Sequence, residues 1–458
     1  MDGAAAVILA AGRGTRMRSS LVKVLHPVCG VPMVVWSVRA AQAAGAKTVV
    51  VVGGPDREID GALPDDVELA VQPVADGTGG ALEAALGQLG DATDVVVLAG
   101  DVPLVDAGTI AQLLEAHRAA GSAATVATMV LDDPSGYGRV VRGPDGNVER
   151  IVETKNPEDA TAEQLAIAEV NTGLIVFSVG GLGDILAQIS TANAQGERYL
   201  PDAIPALRAA GASVAAIEVS DPSLTIGVND QVDLARVAEI AQQRIQRRHM
   251  QAGVRIEAPQ SVVIEADVEI AADAKILAGS VLRGATVIGA GAVIGPHTVL
   301  EHSEVGMDSK VVQSHLMLAK VGAGVSVGPF AYLRPGAELA DGSKAGTFVE
   351  IKNSVIGAGA KVPHLSYIGD ADVGEGANLG ASTITANYDG RNKHRTVVGA
   401  DARTGVHTSL IAPVEVGERA VTGAGSTIAE DVPDAALGIA RSRQTNVEGF
   451  ADRDQSDD

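Results

Sequence analysis

Two short stretches in the first half of the chain contain residue types suited to chemistry on phosphate groups. In AVILAAGRGTRM, residues 6–17, an apolar run leads into a loop with two glycines and two arginines, and Lys23 follows. Backbone N–H groups in such a loop can approach phosphate oxygens, while Arg13, Arg16 and Lys23 would add positive charge. The loop lacks the third glycine of a dinucleotide-binding fingerprint and the Gly-Lys-Ser/Thr of a P-loop. It is a candidate anion site, with an ordinary strand-to-helix turn as the alternative.

The stretch LAGDVPL contributes a carboxylate, Asp101, just after the apolar run Val95–Ala99. If that run is a parallel strand, Asp101 lies at its carboxyl end, the usual ligand edge of an open α/β sheet. A carboxylate there is suited to holding Mg²⁺ on a triphosphate. The alternative is a helix N-cap, which the following Val102–Pro103 makes less favourable.

The second half contains a candidate general base and a basic loop. His364, in PHLSYIGDA, has a side chain that titrates near neutrality and suits proton transfer. The stretch TANYDGRNKHRT collects Arg391, Lys393, His394 and Arg395 in a protein of net charge −22. This loop is a candidate anion site. For His364, the alternative to a general base is a solvated surface histidine.

The elements that position these residues differ between the two halves. The runs Val7–Ala11, Thr48–Val52 and Val95–Ala99 are continuous and rich in β-branched residues, as buried parallel strands are. They predict that residues 1–228 form a Rossmann-like α/β domain with a mostly parallel sheet. Residues 229–250 show apolar positions at helical spacing on a charged background and predict a linker helix.

From Val262 onward the pattern repeats every six residues. Ile264, Ile270, Ile276 and Leu282 begin a series of aliphatic residues six apart, and the residues four positions after them are mostly small. A period of six fits neither an amphipathic strand nor a helix, but it fits a parallel β-helix with one inward aliphatic residue per flat side. Residues 251–458 are therefore predicted to form a β-helix with a polar C-terminal tail. A solenoid that serves only as a scaffold is the alternative.

Composition sets the broad class of protein. With 458 residues, 46% of them hydrophobic, the chain can bury a large core in two or three domains. The charge of −22 disfavours nucleic acid and anionic membranes as partners. The single Cys29 cannot form an internal disulfide, and no leader peptide or membrane-spanning run is recognisable. We therefore expect a cytoplasmic protein.

Several motifs together resemble a known family. LAAGRGTRM, KVLH, GDVPL, GYGR, EVNTG and GVN are similar to the sugar-nucleotide uridylyltransferases. With the hexapeptide half, the chain resembles the bifunctional N-acetylglucosamine-1-phosphate uridyltransferases/glucosamine-1-phosphate N-acetyltransferases, up to Phe450. The resemblance implies a left-handed β-helix, Mg²⁺, UTP and acetyl-CoA as co-substrates, a homotrimer, and a product used for cell-wall precursors.

The resemblance also implies roles for individual residues of the first half. The nucleotide phosphates would be lined by Leu9, Ala10, Ala11, Gly12 and Lys23, with Arg16 and Lys23 stabilising the transition state. Uracil would be contacted by Gln72, Gly77 and Thr78, and Mg²⁺ would be bound by Asp101 and Asn229. The amino sugar would be held by Gly138, Glu153 and Asn171.

In the second half the resemblance makes His364 the general base. Glucosamine 1-phosphate would be bound by Arg334, Lys352, Tyr367 and Asn378, with Asn387 bordering both the sugar and acetyl-CoA. Acetyl-CoA would be contacted by Ala381, Tyr388, Lys393, Val406, Ala424 and Arg441.

The chain departs from the family pattern at four positions in these regions. Val22 replaces a proline, Ala75 and Gly80 stand where glutamine and histidine are more common, and Val406 replaces a serine. Two other functions remain open from the sequence: a nucleotidyltransferase whose solenoid serves only assembly, and a non-catalytic solenoid binding module.

Overall fold

The apolar runs of the first half form the centre of one mixed sheet. Ala4–Leu9 lies parallel to both Thr48–Gly53 and Asp94–Ala99, and its residues up to Ile8 are almost fully buried. Helices cover both faces of such a sheet, which is why these strands carry no polar alternation. The predicted parallel core is confirmed, although the first strand ends at Leu9, so Ala10 and Ala11 lie in the loop that follows.

The computed structural model describes residues 1–12, 14–154, 160–191 and 196–451. The chain divides into two units, Met1–Ala241 and Gln242–Asp458. Within the described ranges, no helix has the length and apolar character needed to span a bilayer.

The strands of the first unit are β1 (Ala4–Leu9), β2 (Pro27–Val28), β3 (Val31–Pro32), β4 (Thr48–Gly53), β5 (Glu68–Val71), β6 (Asp94–Ala99), β7 (Ala124–Val130), β8 (Arg139–Arg142), β9 (Val148–Val152), β10 (Glu169–Ser178) and β11 (Val214–Glu218). The helices of the chain are α1 (Met33–Ala43), α2 (Thr78–Ala85), α3 (Ala107–Ala120), α4 (Ala162–Leu165), α5 (Leu182–Leu186), α6 (Ala203–Ala209) and α7 (Gln231–Gln251). The main sheet has the order β11-β7-β10-β6-β1-β4-β5, with β10 antiparallel to its neighbours and β8 and β9 attached to it.

Helix α7 begins two residues after the predicted start, and the division between the two units falls within it. In its first half Val237 and Ala241 pack in a small cluster with Met17 and Met33. In its second half the Gln246 side chain donates to the carbonyl of Val262 at 2.7 Å. The helix therefore contributes packing to one unit and hydrogen bonds to the other.

The solenoid consists of short parallel strands in three sheets, and one inward aliphatic residue per strand forms its core. Ile264, Leu282 and Leu300 occupy successive turns of one sheet in register and are fully buried. Burying each such side chain contributes roughly 1.5–3 kcal/mol. Buried hydroxyls at the corners donate to nearby carbonyls, as Ser280 does to Leu277 at 2.8 Å. This is the predicted left-handed β-helix of hexapeptide repeats.

The first solenoid sheet contains Arg255–Ile256, Lys275–Ile276, Val293–Ile294, Lys310–Val311, Ser326–Val327, Lys344–Thr347 and Lys361–His364. The second contains Val263–Ile264, Val281–Arg283, Val299–Glu301, His315–Met317, Tyr332–Leu333, Glu350–Lys352, Tyr367–Gly369, Ile384–Ala386, Ser409–Ile411 and Thr427–Ile428. The third contains Glu269–Ile270, Val287–Ile288, Glu304–Val305, Lys320–Val321, Ala337–Leu339, Ser354–Ile356, Ala371–Val373, Thr396–Val398 and Val414–Val416. A final parallel pair joins Val421–Thr422 to Leu437–Gly438.

Candidate active sites

A cavity of about 480 Å³ opens at the carboxyl ends of β1 and β6 in the first unit. Eleven of the residues predicted to act on the nucleotide and sugar line it: Leu9, Ala10, Ala11, Gly12, Lys23, Gln72, Gly77, Thr78, Asp101, Glu153 and Asn171. The sheet brings them together because β1 and β6 are adjacent and parallel, so the segments after them emerge side by side. Arg13 lies outside the described residues.

The charged end of the cavity is organised around Asp101. Lys23 forms an ion pair with the Asp101 carboxylate, and both side chains are largely buried. The backbone N–H of Val228 donates to the Asp101 carbonyl at 2.9 Å, which holds Asn229 beside this segment. Arg16 donates to the Asn229 amide oxygen at 2.9 Å. Arg16 and Asn229 are thus connected to the Asp101 region, although neither lines the cavity.

The alternative role of Asp101 as a helix N-cap is taken by another residue. Helix α3 begins after Asp106, whose carboxylate accepts from the Thr109 backbone N–H at 2.7 Å. Asp101 therefore keeps its carboxylate at the cavity beside Lys23, where its oxygens are suited to a divalent cation.

Gln72 and Gly77 lie between β5 and α2, and Thr78 begins α2, on another wall of the cavity. Gly77 has φ of +104°, and a Cβ atom there would lie 2.5 Å from the carbonyl oxygen of Arg198. Only glycine combines this conformation with this close approach. The Thr78 hydroxyl accepts from the Leu200 backbone N–H at 2.9 Å, which joins the loop to the segment after residue 196.

The sugar-side residues come from the antiparallel part of the sheet. The Asn171 backbone N–H donates to the Gly138 carbonyl at 2.8 Å, so β10 carries Asn171 next to Gly138. Glu153 follows β9, and a Cβ atom on Gly138 would lie 3.6 Å from its carboxylate. Gly138 does not line the cavity itself but leaves room for residues that do.

Sequence reasoning missed Glu197 and Tyr199, which also line the cavity. They follow no recognisable strand and therefore carry no positional signal. The one available cue is a tyrosine next to two charged residues in a chain with 2% aromatic residues.

In the solenoid, three predicted ligands of a sugar phosphate lie on the second sheet. Arg334 and Lys352 occupy equivalent positions in successive turns, and Tyr367 begins the strand of the next turn. Arg334 donates to Glu350 at 2.8 Å, and this hydrogen bond raises the pKa of its guanidinium. The three side chains form a polar and cationic stripe along one face.

Asp370 lies next to this stripe and interacts with Lys352. Burial raises the pKa of its carboxyl group, but hydrogen bonds from Asn353 and Asn387 and the charges of Lys352 and Lys393 lower it below the ordinary value overall. A Cβ atom on Gly369 would lie 2.8 Å from the Asn387 amide nitrogen, so glycine leaves space for Asn387. Asn387 is therefore positioned next to Tyr367, 3.5 Å from its hydroxyl.

The basic loop after Asn387 is only partly available to an anion. Arg395 forms an ion pair with Asp372, and His394 donates to Asp389 at 2.7 Å. Backbone N–H groups and His394 hold the pKa of Asp389 at about 2. Lys393 lies close to Lys352 of the sugar-phosphate stripe, and the Lys352 side chain lowers the pKa of Lys393.

His364 lies at the corner between the first and second solenoid sheets. Its carbonyl accepts from Ser382 at 3.1 Å, and the same ladder continues from Ala381 to His407 and from Val406 to Gly425. His364, Ala381, Val406 and Ala424 thus stack in successive turns along one corner. Within the described part of the chain, no hydrogen bond or ion pair to the exposed His364 ring is recorded.

Asn378 and Arg441 are not part of these clusters. Asn378 pairs with Lys361 and Arg403 as a continuation of the first sheet, on a different face from Arg334. Arg441 follows the last strand and is exposed. Tyr388 is exposed in the basic loop and pairs with Lys393.

Comparisons with known proteins agree with this division. The family model for the MobA-like NTP transferase domain matches residues 6–140, and that for the bacterial transferase hexapeptide (six repeats) matches residues 267–302. The first match lies in the α/β unit and the second in the solenoid, so the chain is similar to a nucleotidyltransferase in one part and to a hexapeptide-repeat transferase in the other.

Relatives match nearly the whole chain. The Bifunctional protein GlmU of Shouchella clausii is 45% identical over 99% of this chain and 100% of its own length. That of Carboxydothermus hydrogenoformans is 47% identical over 97% and 99%, respectively. The chain belongs to the GlmU family. This confirms the prediction of a bifunctional enzyme with uridyltransferase and acetyltransferase activities, and it does not fit the two alternatives.

Proposed function

We propose that the solenoid transfers the acetyl group of acetyl-CoA to the amine of glucosamine 1-phosphate. The α/β unit then transfers a uridylyl group from UTP to the resulting N-acetylglucosamine 1-phosphate and releases pyrophosphate. The observation that carries this proposal is the convergence of Asp101, Lys23 and the Gln72–Thr78 loop on one cavity. The product, UDP-N-acetylglucosamine, is a precursor of the cell wall, and we expect its synthesis in the cytoplasm.

Mg²⁺ fits the oxygen donors near the phosphate loop. It prefers oxygen ligands and usually binds through one or two carboxylates together with water and substrate phosphates. The Asp101 carboxylate and the Asn229 amide oxygen are such ligands, and each has a cationic partner, Lys23 and Arg16 respectively. Asp101 and Asn229 would hold the ion, which would neutralise phosphate charge.

The uridylyl transfer needs positioning and charge neutralisation more than covalent help. Leu9–Gly12 would place backbone N–H groups against the phosphates. Lys23 and Arg16 would stabilise the negative charge that develops as the sugar phosphate oxygen attacks the α-phosphorus. Glu153 and Asn171 would orient the amino sugar from the opposite wall.

In the acetyl transfer, His364 would remove the proton from the sugar amine as that amine attacks the thioester carbonyl. Arg334 and Lys352 would bind the phosphate of the sugar, and their spacing on successive turns suits one phosphate between them. Tyr367 and Asn387 would bind the sugar ring. Ala381, Val406 and Ala424 would form the smooth corner along which acetyl-CoA lies.

A homotrimer would bring the separated residues together. Phe330 and Phe348 stack with ring centroids 5.3 Å apart on the same corner as His364, and both are more than half exposed, as is Leu365. An exposed apolar ridge of this kind marks an interface. We propose that it is covered by a second copy of this chain, whose Asn378 or Arg441 would complete the acetyltransferase site.

The test is to incubate the protein with glucosamine 1-phosphate, acetyl-CoA, UTP and Mg²⁺ and to measure free thiol, pyrophosphate and UDP-N-acetylglucosamine. All three should form. In Asp101→Asn the thiol should still appear while pyrophosphate does not, whereas Asp106→Asn should keep both, because asparagine caps a helix as well as aspartate. Normal pyrophosphate release by Asp101→Asn would remove Asp101 from the proposed site.

A further inference from the structure

An ion pair to which the predicted roles assign no function lies next to Gln72, on the wall of the cavity that is proposed to contact uracil. Both Nε and Nη2 of Arg198 donate to the same carboxylate oxygen of Asp76, at 2.8 and 2.6 Å. Arg198 Nη1 also lies 2.8 Å from Glu83 on α2. Burial raises the pKa of Asp76, but hydrogen bonds from Arg198 and Gln72 lower it below the ordinary value overall, so it is ionised at neutral pH.

Backbone hydrogen bonds also connect Arg198 to the segment that contains Asp76. The Arg198 N–H donates to the Asp76 carbonyl at 2.6 Å, and the Arg198 carbonyl accepts from Gly79 at 2.8 Å. Glu197 and Tyr199, on either side of Arg198, line the cavity. Glu197 and Tyr199 therefore border the cavity, while Arg198 between them is hydrogen-bonded to the segment that contains Asp76 and Gly79.

The second oxygen of Asp76 determines how the Gln72 side chain is oriented. Gln72 Nε2 donates to Asp76 Oδ1 at 2.8 Å and to the Gly77 carbonyl at 2.9 Å. Both N–H bonds of the amide are thus directed at acceptors within the protein. Rotating the amide by 180° would place its oxygen against a carboxylate and a carbonyl, which is unfavourable.

With its donors engaged, Gln72 presents an acceptor to the cavity that it lines. Among the described residues no donor to Gln72 Oε1 is recorded. Uracil carries an N–H at N3, whereas cytosine has an acceptor lone pair at that position. A fixed acceptor therefore favours uracil, and a site built around such a bond can reject a ligand that lacks the N–H by a large factor.

We propose that Asp76 and Arg198 are positioning residues that set the preference of the nucleotide site for uracil over cytosine. This inference rests on the proposed function of the cavity and adds residues to which no role has been assigned. Asp76 orients the Gln72 amide, and Arg198 holds Asp76 in place. Gly80 is part of the arrangement, because a Cβ atom there would lie 2.6 Å from Asp76 Cγ and 2.7 Å from Arg198 Nη2.

The decisive variant is Asp76→Asn, which keeps size and shape. Arg198 requires an acceptor, so the substituted amide would turn its oxygen to Arg198 and its NH₂ group to Gln72, opposing the present orientation of the Gln72 amide. We expect the ratio of kcat/KM for UTP to that for CTP to fall at least about tenfold. Arg198→Lys keeps the positive charge but loses the paired N–H donors, so it should lower the ratio by less than Asp76→Asn does.

The matched control is Glu169→Gln. Glu169 receives two hydrogen bonds from Arg142, at 2.8 and 2.6 Å, in the same unit but outside the cavity lining. This variant should lose an ion pair of the same kind and keep the UTP/CTP ratio of the wild type. Acetyl transfer, measured on each variant, reports whether the other unit is intact.

The outcomes separate the inference from the proposed function. If wild type neither binds UTP in calorimetry nor turns it over, the proposed function of the cavity is wrong and the inference falls with it. If wild type prefers UTP and Asp76→Asn keeps that preference, only the inference is overturned. An equal loss of preference in Glu169→Gln would also overturn it, because the effect would then come from weakened folding.

Discussion

The two units build their candidate sites in different ways. In the α/β unit, residues far apart in sequence meet around one cavity, because adjacent parallel strands end at the same edge. In the solenoid the corresponding residues lie apart: His364 is on a corner, Arg334 is on the face of the second sheet, and Asn378 is on the face of the first sheet. A sheet edge gathers side chains within one chain, whereas a solenoid distributes them along its length and leaves an open surface for a neighbouring copy.

The largest expected effect concerns the solenoid alone. Replacing His364 with alanine removes the proposed proton acceptor and should reduce acetyl transfer to glucosamine 1-phosphate by about 10²–10⁴. Uridylyl transfer from UTP to preformed N-acetylglucosamine 1-phosphate should stay near the wild-type rate. His297→Ala is the matched control, since His297 is an exposed histidine on the same corner several turns away. Unchanged acetyl transfer in a folded His364→Ala protein would exclude His364 as the base.

The next effect tests whether the solenoid site depends on assembly. Phe348→Asp places a charge on the exposed aromatic ridge and should shift the mass measured by light scattering from three chains toward one. Acetyl transfer should fall with the trimer fraction, while uridylyl transfer remains. Leu318→Asp, at a comparably exposed position on a different corner, is expected to leave the trimer intact. A Phe348→Asp monomer with full acetyl transfer would show that the site needs no neighbour.

A stability effect of intermediate size distinguishes two glycines in helices of the α/β unit. Alanine normally stabilises a helix relative to glycine by about 1 kcal/mol. In Gly80→Ala the added methyl would collide with Asp76 and Arg198, so the free energy of unfolding should decrease by about 1–3 kcal/mol. Gly108→Ala meets its nearest atom at 3.5 Å and should be neutral or stabilising. Denaturant unfolding of both variants checks the difference in sign.

How far the sequence predicted each region depends on the range of the contacts involved. Local patterns were sufficient for β1, β6 and the hexads, because continuous apolar runs and a six-residue period report burial directly. The ion pair between Asp76 and Arg198 joins residues that are 122 positions apart, so it produces no periodic pattern in the sequence. The alignment of His364, Ala381 and Val406 on one corner was also hidden, because the inserted basic loop disrupts the repeat spacing.

The smallest effect is a pH dependence in the α/β unit. Burial lowers the pKa of His117 despite the Asp94 carboxylate 3.5 Å away. As the pH falls through the ordinary histidine pKa, this side chain takes up a proton in the unfolded chain before it does so in the folded one. The free energy of unfolding therefore decreases as the pH falls through that range. Calorimetry should show a melting temperature about 1–3 °C lower at pH 5.5 than at pH 7.5 from this group. A His117→Gln protein with the same pH dependence as wild type would contradict this assignment.

Our proposal is that each unit catalyses one of the two successive reactions, the solenoid together with a neighbouring copy. It is tested most directly by mixing Asp101→Asn with His364→Ala in the presence of glucosamine 1-phosphate, acetyl-CoA, UTP and Mg²⁺. Each variant alone should form little UDP-N-acetylglucosamine, because one lacks uridylyl transfer and the other lacks acetyl transfer. The mixture should restore synthesis, since the intermediate released by Asp101→Asn is the substrate of His364→Ala. A mixture as inactive as the separate variants, although each retains its one activity, would contradict the claim.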